Sequence, residues 1–152
     1  MQGLTIRDAR ADDLPFVTGL IADDAVAATR DRPTGNEAAY QREAFEAIAA
    51  DPNHRLLVAE LDGERVGSFQ LSFIPGVAVG GAWRGQIEFV RVTSAMRGRG
   101  IGEAMMRWAL EECRARGCYL VQLTSDHQRP AAHRFYERLG FVASHAGFKL
   151  RL

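Results

Sequence analysis

Arg97-Gly98-Arg99-Gly100-Ile101-Gly102 is the stretch on which the reading of this sequence turns. Glycines at alternate positions let the backbone turn tightly and let a ligand approach without meeting a Cβ. A strand-like segment, Gln86 to Val92, precedes the loop. A helical pattern from about Gly100 to Arg116 follows it, with Ile101, Met105, Trp108, Ala109 and Cys113 on the apolar face. At such a helix start, unpaired N–H groups and the helix dipole favour an anion, and Arg97 and Arg99 add positive charge. Strand, glycine-rich turn and helix together form a cradle for a pyrophosphate. It is not a P-loop, because Ile101-Gly102-Glu103 offers no Gly-Lys-Ser/Thr. Nor is it a dinucleotide fingerprint, since the third glycine of G-x-G-x-x-G falls on Glu103. The plainer alternative is a glycine-rich turn that only caps a helix.

Upstream of the loop, Leu4 to Arg10 reads as a first strand. Asp12, Asp13 and Pro15 mark a helix start, with Leu14, Val17 and Ile21 on one face. Asp31 to Asn36 reads as a loop, and a second helix carries Tyr40, Ala44, Phe45 and Ile48 on a stripe up to Asp51-Pro52. Leu56 to Leu61 and Val66 to Phe73 form a hairpin about Asp62-Gly63. Along its second strand Phe69, Leu71 and Phe73 alternate with Ser68, Gln70 and Ser72, as on a half-exposed sheet. Pro75 to Gly85 is glycine-rich and contains a turn or loop. In Gln86 to Val92 the apolar phase slips, from Ile87 and Phe89 to Val90 and Val92. A β-bulge produces such a slip, and so does a central strand covered on both faces.

Downstream, Cys118 to Thr124 is a strand, Pro130 opens a short helix, Gly140 closes it, and a last strand ends at Leu152. The order β-α-α-β-β-β-α-β-α-β predicts an α/β fold with one mixed sheet and helices on both faces. At 152 residues, with 47% apolar and 25% charged residues, the chain fits one globular domain spanning residues 1–152. No apolar run reaches the roughly 18 residues of a membrane span. The N-terminus carries no apolar signal segment, so a cytoplasmic location is expected. Cys113 and Cys118 are expected to be reduced, partly buried thiols.

The formal net charge is zero but uneven. Through Glu88 there are 8 basic and 14 acidic residues, and from Phe89 onward 11 basic and 5 acidic. The basic half suits a polyanionic ligand and the acidic half a cationic one, unless both are simply solvated helix faces. The chain lacks the overall basicity and aromatic interleaving of nucleic-acid binders, so no nucleic acid is expected as partner.

Arg97-x-x-Gly100-x-Gly102, after the strand Ile87–Val92 and before an amphipathic helix, resembles the coenzyme A signature of the GNAT superfamily of N-acetyltransferases. Phe135-Tyr136-Glu137-Arg138-Leu139-Gly140-Phe141 resembles that family's second signature. The resemblance covers Gln86 to Phe141; upstream only the order of elements agrees. It implies a largely antiparallel sheet splayed at a bulge, with acetyl-CoA as cosubstrate and no metal. Val90 and Val92 would pair with the pantetheine arm as an added strand would, or serve only as core. Backbone N–H groups from Arg97 through Gly98, Arg99, Gly100, Ile101 and Gly102 to Glu103 would hold the pyrophosphate. An N–H near Val90 would polarise the thioester carbonyl.

Glu88 is the candidate base, directly or through water; the alternative is an ion pair with Arg84 or Arg91. The family places a tyrosine where Tyr136 stands, as the acid that protonates the leaving thiolate. The sequence departs from the family at Arg129, where an asparagine is common; Arg129 would reach a coenzyme phosphate or face water. His127, His133 and His145 lack metal-site spacing. Trp83 lines an acceptor pocket or covers the sheet. The expected activity is acetyl transfer from acetyl-CoA to a primary amine of a small molecule or peptide, by direct attack in a ternary complex. The alternative is a non-catalytic acyl-CoA-binding or sensing domain. The acceptor is left open, with the acidic excess before Glu88 hinting at a cationic amine. Homodimers are frequent in the family, and this sequence does not decide the point.

Overall fold

In a computed structural model, which describes residues 1–24 and 35–152, the chain forms two compact units, Met1–Gln122 and Leu123–Leu152. The first holds a five-stranded sheet in sequential order. Strands β1 (Leu4–Asp8), β2 (His54–Leu61), β3 (Glu64–Ile74) and β4 (Trp83–Val92) pair antiparallel, and β5 (Cys118–Gln122) runs parallel to β4. The sheet is thus mixed and mostly antiparallel. The β2–β3 turn follows from its two residues: Asp62 and Gly63 both take positive φ, +52° and +88°, as a type I′ hairpin requires.

A 3-10 turn, Ala11–Asp13, leads into α1 (Leu14–Ala22), with Pro15 in its first turn where the missing N–H costs nothing. Val17 and Leu20 are buried, and α1 packs on β3 and β4. The carboxylate of Asp13, 1% exposed, ties this corner together. It accepts from Arg7 Nη1 at 2.6 Å, from Arg65 Nη1 at 3.1 Å and from the Arg10 N–H at 2.8 Å, while Arg7 also reaches Glu60 at 2.6 Å. The Arg7 hydrogen bond holds the Asp13 carboxyl below its ordinary pKa against the opposing effect of burial.

Helix α2 (Glu37–Ala50) packs on β2 but buries no residue fully. Of its expected stripe, Phe45 and Ile48 are half-buried while Tyr40 and Ala44 are exposed. Of the expected loop Asp31–Asn36, residues 31–34 lie outside the described residues.

Helix α3 (Ile101–Ala115) is the core helix, with Ile101, Met105, Ala109 and Cys113 buried as the periodicity predicts, Met106 buried as well, and Trp108 half-buried. It lies on the sheet face that carries Gly67 and Phe69. Trp108 meets Phe69 edge-on at 6.1 Å, and a Cβ at Gly67 would stand 2.9 Å from Met105 Sδ. The alternating positions belong to the opposite face. There Arg91, in register with Ser68, pairs with Asp24 just past α1 at 2.8 Å. Ser68 and Ser72 are buried, so this face is covered rather than half-exposed. Within Pro75–Gly85 a short helical turn, Ala78–Gly81, precedes β4, which starts at Trp83, ahead of the expected Gln86.

The second unit contains α4 (Pro130–Arg138), closed by Gly140 at φ +92°. The expected last strand is absent: residues 141–152 form no strand, and Val142, Phe148, Leu150 and Leu152 are exposed. Alternating apolar residues carry strand propensity, but a strand also needs a neighbour to hydrogen-bond, which the pattern does not supply.

Candidate active site

The phase slip in β4 is a bulge. Ser68 faces Arg91 and Gln70 faces Glu88, so Phe69 alone on β3 opposes Phe89 and Val90 on β4. Phe89, one of the two bulged residues, takes φ +56°, in the left-handed region. On the other side, pairing of β4 with β5 runs from Trp83↔Cys118 to Gln86↔Gln122 and stops. Gln122 Nε2 donates to Gln86 Oε1 at 2.7 Å where the ladder ends. Beyond it, among the described residues, no strand pairs with the β5-facing edge of Ile87–Val92. Bulge and fork together leave backbone groups available to an extended ligand. The carbonyls are partly taken, since Val90 O accepts from Arg91 Nη1 at 2.9 Å and Val92 O from Arg97 Nε at 3.3 Å.

The strand then leads through a 3-10 turn, Ser94–Met96, into the glycine loop. Gly98 and Gly100 take φ +74° and +80°. No heavy atom beyond its chain neighbours lies within 4 Å of where a Cβ would stand at Gly98. That space is open to a ligand. Gly100 is the N-cap of α3 and no side chain caps the helix; Ala104 N–H donates to Gly100 O at 3.0 Å. The N–H groups of Ile101, Gly102 and Glu103 therefore have no i−4 partner within the helix. Arg99 reaches Met96 Sδ at 3.0 Å, and the Glu103 carboxylate is occupied by Arg107 at 2.7 Å, so Glu103 offers its backbone.

Glu88 is half-buried on the face opposite α3. Among the described residues it makes no ion pair; Arg91, one of its two expected partners, is held by Asp24. On the same face a polar row crosses four strands in register: His54, Ser72, Gln86 and Gln122. His54 Nδ1 lies 2.8 Å from Ser72 Oγ. Sequence reading missed this row because its members are spread over 69 positions (122 − 54 + 1); only the alternation around Ser72 hinted at it. Trp83 covers the sheet end, its ring 5.3 Å below the Arg116 guanidinium. The Cys113 thiol, buried beside Gly85, is pushed up to about 12 by desolvation.

In the second unit, Arg129 is the N-cap of α4, donating its N–H to Asp126 O at 3.0 Å. Tyr136 is half-buried, its ring edge-on to Phe135 at 5.2 Å and to Phe141 at 6.0 Å. His133 Nε2 sits 2.8 Å from Asp126 O, and His145 Nδ1 2.7 Å from Ser144 Oγ. Among the described residues no group of three or more His, Cys, Asp or Glu side chains is placed to hold a metal ion. Glu88, Val90, Val92 and Arg97–Glu103 thus stand together along one strand and loop of the first unit, and Arg129 and Tyr136 along one helix of the second.

A bulged, open-edged strand running into a glycine loop and a helix start is the scaffold of an enzyme that transfers an acyl group to an amine. Residues 22–141 match the acetyltransferase (GNAT) family, and the chain belongs to it. It is similar to the aminoalkylphosphonate N-acetyltransferase of Salmonella typhimurium, 39% identical over 117 residues, 74% of each chain. It is also similar to the glucosamine 6-phosphate N-acetyltransferase of Trypanosoma brucei brucei, 39% identical over 90 residues, 59% of each chain. Among solved structures, a transcriptional regulator from Bacillus halodurans C-125 superposes with a TM-score of 0.91 at 44% identity, covering 98% of this chain and 99% of that one. The chain is an N-acetyltransferase.

Proposed function

We propose that the chain, acting as a single domain in the cytoplasm, takes acetyl-CoA and a small primary amine into one ternary complex and acetylates the amine by direct attack. The observation that carries this reading is the bulge at Phe89 beside an open strand edge that leads into the glycine loop. Acetyl-CoA supplies the acetyl group as an activated thioester, and the residues present fit it. The open space at Gly98 and the N–H groups of Arg97 to Glu103 suit the pyrophosphate. The edge at Val90 and Val92 suits an extended arm, and the Val90 N–H is the oxyanion donor. Arg129 lends charge to a coenzyme phosphate.

A free alkylamine titrates near ~10, so the acceptor arrives as an ammonium. Glu88 takes its proton, directly or through water, and the freed nitrogen attacks the thioester carbonyl. As the C–S bond breaks, Tyr136 gives its phenolic proton to the departing thiolate, and the second proton shed by the attacking nitrogen as the amide forms restores the phenol.

The acceptor we propose is a small primary amine that carries a phosphorus oxyanion. Support comes from two relatives, whose acceptors are an aminoalkylphosphonate and glucosamine 6-phosphate. The test is acetyl-CoA-dependent thiol release over a panel of aminophosphonates, amino sugar phosphates, polyamines, aminoglycosides and peptides. Glu88→Gln and Tyr136→Phe should each lower kcat while acetyl-CoA affinity stays at the wild-type value. Full turnover in either variant removes that residue from the mechanism. A regulator reading draws on the Bacillus halodurans relative; salt-sensitive retention on duplex DNA, with no thiol release, would favour it.

A further inference from the structure

Three described non-glycine residues take positive φ: Asp62, Val79 and Phe89. Asp62 sits in the hairpin turn, where such an angle is ordinary, and Val79 is an exposed outlier in the short turn before β4. Phe89 lies inside a strand. It also exposes 54% of its surface, while Ile87, two residues earlier on the same strand, exposes 2%. Phenylalanine there carries two costs, a strained backbone and an apolar ring left in water. A glycine would make the same bulge with neither. Among the described residues of the first unit nothing recovers these costs, and strain of this kind gathers where ligands bind.

The position of Phe89 says what binds. Glu88 precedes it and Val90 follows it, and at the bulge the side chain is exposed where that of a core residue such as Ile87 is buried. We propose that the Phe89 ring is the acceptor-contacting wall of the site, packing against the carbon that bears the primary amine while Glu88 holds the nitrogen. This rests on the acetyl-transfer reading above. An apolar wall beside a carboxylate suits an alkylammonium: the carboxylate meets the charge and the ring meets the adjacent methylene. The ring also strips water from the ammonium, which disfavours its charged form and eases proton transfer to Glu88.

Phe89→Gly and Phe89→Ala separate the ring from the strain. Both remove the wall, but only glycine relaxes at φ +56°, so Phe89→Gly should melt at or above Phe89→Ala. Each variant is compared with wild type by calorimetric titration with acetyl-CoA and by steady-state kinetics with 2-aminoethylphosphonate and the other primary amines of the panel. The expected result is an acceptor KM raised about tenfold or more in both variants, from the loss of an aromatic contact. Acetyl-CoA Kd should be unchanged. Wild-type turnover with an unchanged acceptor KM in both variants would overturn this inference alone, as would a raised acetyl-CoA Kd, which would make the ring a coenzyme contact. Wild-type protein that binds no acetyl-CoA, or transfers to no amine, would overturn the underlying reading and this inference with it.

Discussion

Gly98→Ala, set against Gly63→Ala, isolates what the glycine loop is for. Both glycines take left-handed φ, +74° and +88°, and at neither does a heavy atom beyond the chain neighbours lie within 4 Å of the missing Cβ. Alanine should therefore cost the fold about the same at each. The left-handed conformation costs alanine roughly 1–2 kcal/mol, and stiffening of the unfolded chain returns about 0.4–1. The net is about 1 kcal/mol, or a melting temperature lower by about 3 °C for a domain of this size. The two differ in what stands opposite the new methyl. At Gly63 it faces solvent at a hairpin turn; at Gly98 it enters the space through which a pyrophosphate would reach the loop N–H groups. Calorimetric titration with acetyl-CoA should show affinity lowered about tenfold or more in Gly98→Ala and unaltered in Gly63→Ala, as expected when charge-assisted backbone hydrogen bonds lengthen. Equal affinity in both variants, at the expected melting temperatures, would refute the phosphate cradle.

The Asp13 cluster sets an acid limb. Because Arg7 depresses its folded pKa, Asp13 contributes stability that is present above the unfolded value near ~3.9 and is lost as pH falls through the folded one. Asp13→Asn should cost about 2–3 kcal/mol at pH 7, less than a fully buried pair because Arg7 and Arg65 still touch water. Melting temperatures of the two proteins should converge at strongly acidic pH, and a constant gap would contradict the assignment. Gly67→Ala places a Cβ 2.8 Å from the Arg91 carbonyl oxygen, beside the bulge. Overpacking there should cost about 1–3 kcal/mol by denaturant titration, and a neutral result would mean that the bulge is pliable. Cys113, raised to about 12, should resist alkylation in the native state at pH 8 and react on unfolding. Its contribution to stability is full below the unfolded thiol pKa near ~8.5 and falls as pH rises above it; rapid native labelling would show the site to be open.

What was legible in the sequence was what is decided locally. Asp62-Gly63 and Gly98/Gly100 are conformational demands written in residue type, and both are met. Helix α3 was legible because its buried residues recur at helical spacing. The bulge was half legible: a phase slip signals either a bulge or a strand covered on both faces, and only the register against β3 separates them. Phe89 itself was not legible, since residue type announces positive φ for glycine and not for phenylalanine. Long-range pairings were equally hidden: Arg7 meets Glu60 across 53 positions, and Arg91 meets Asp24 rather than Glu88. The expected last strand ending at Leu152 is absent because strand propensity does not supply a pairing partner. Of the candidate site, the loop and strand residues fall in one unit, while the roles of Glu88, Arg129 and Tyr136 depend on ligands that sequence spacing does not describe.

The measurement closest to the central claim is thiol release from acetyl-CoA by the wild-type chain, with and without an aminoalkylphosphonate or an amino sugar phosphate. The account predicts release that requires both the enzyme and the amine, saturates in each substrate, and yields N-acetylated product in equal amount by mass spectrometry. Tight binding of acetyl-CoA with no amine-dependent release across the panel would contradict it.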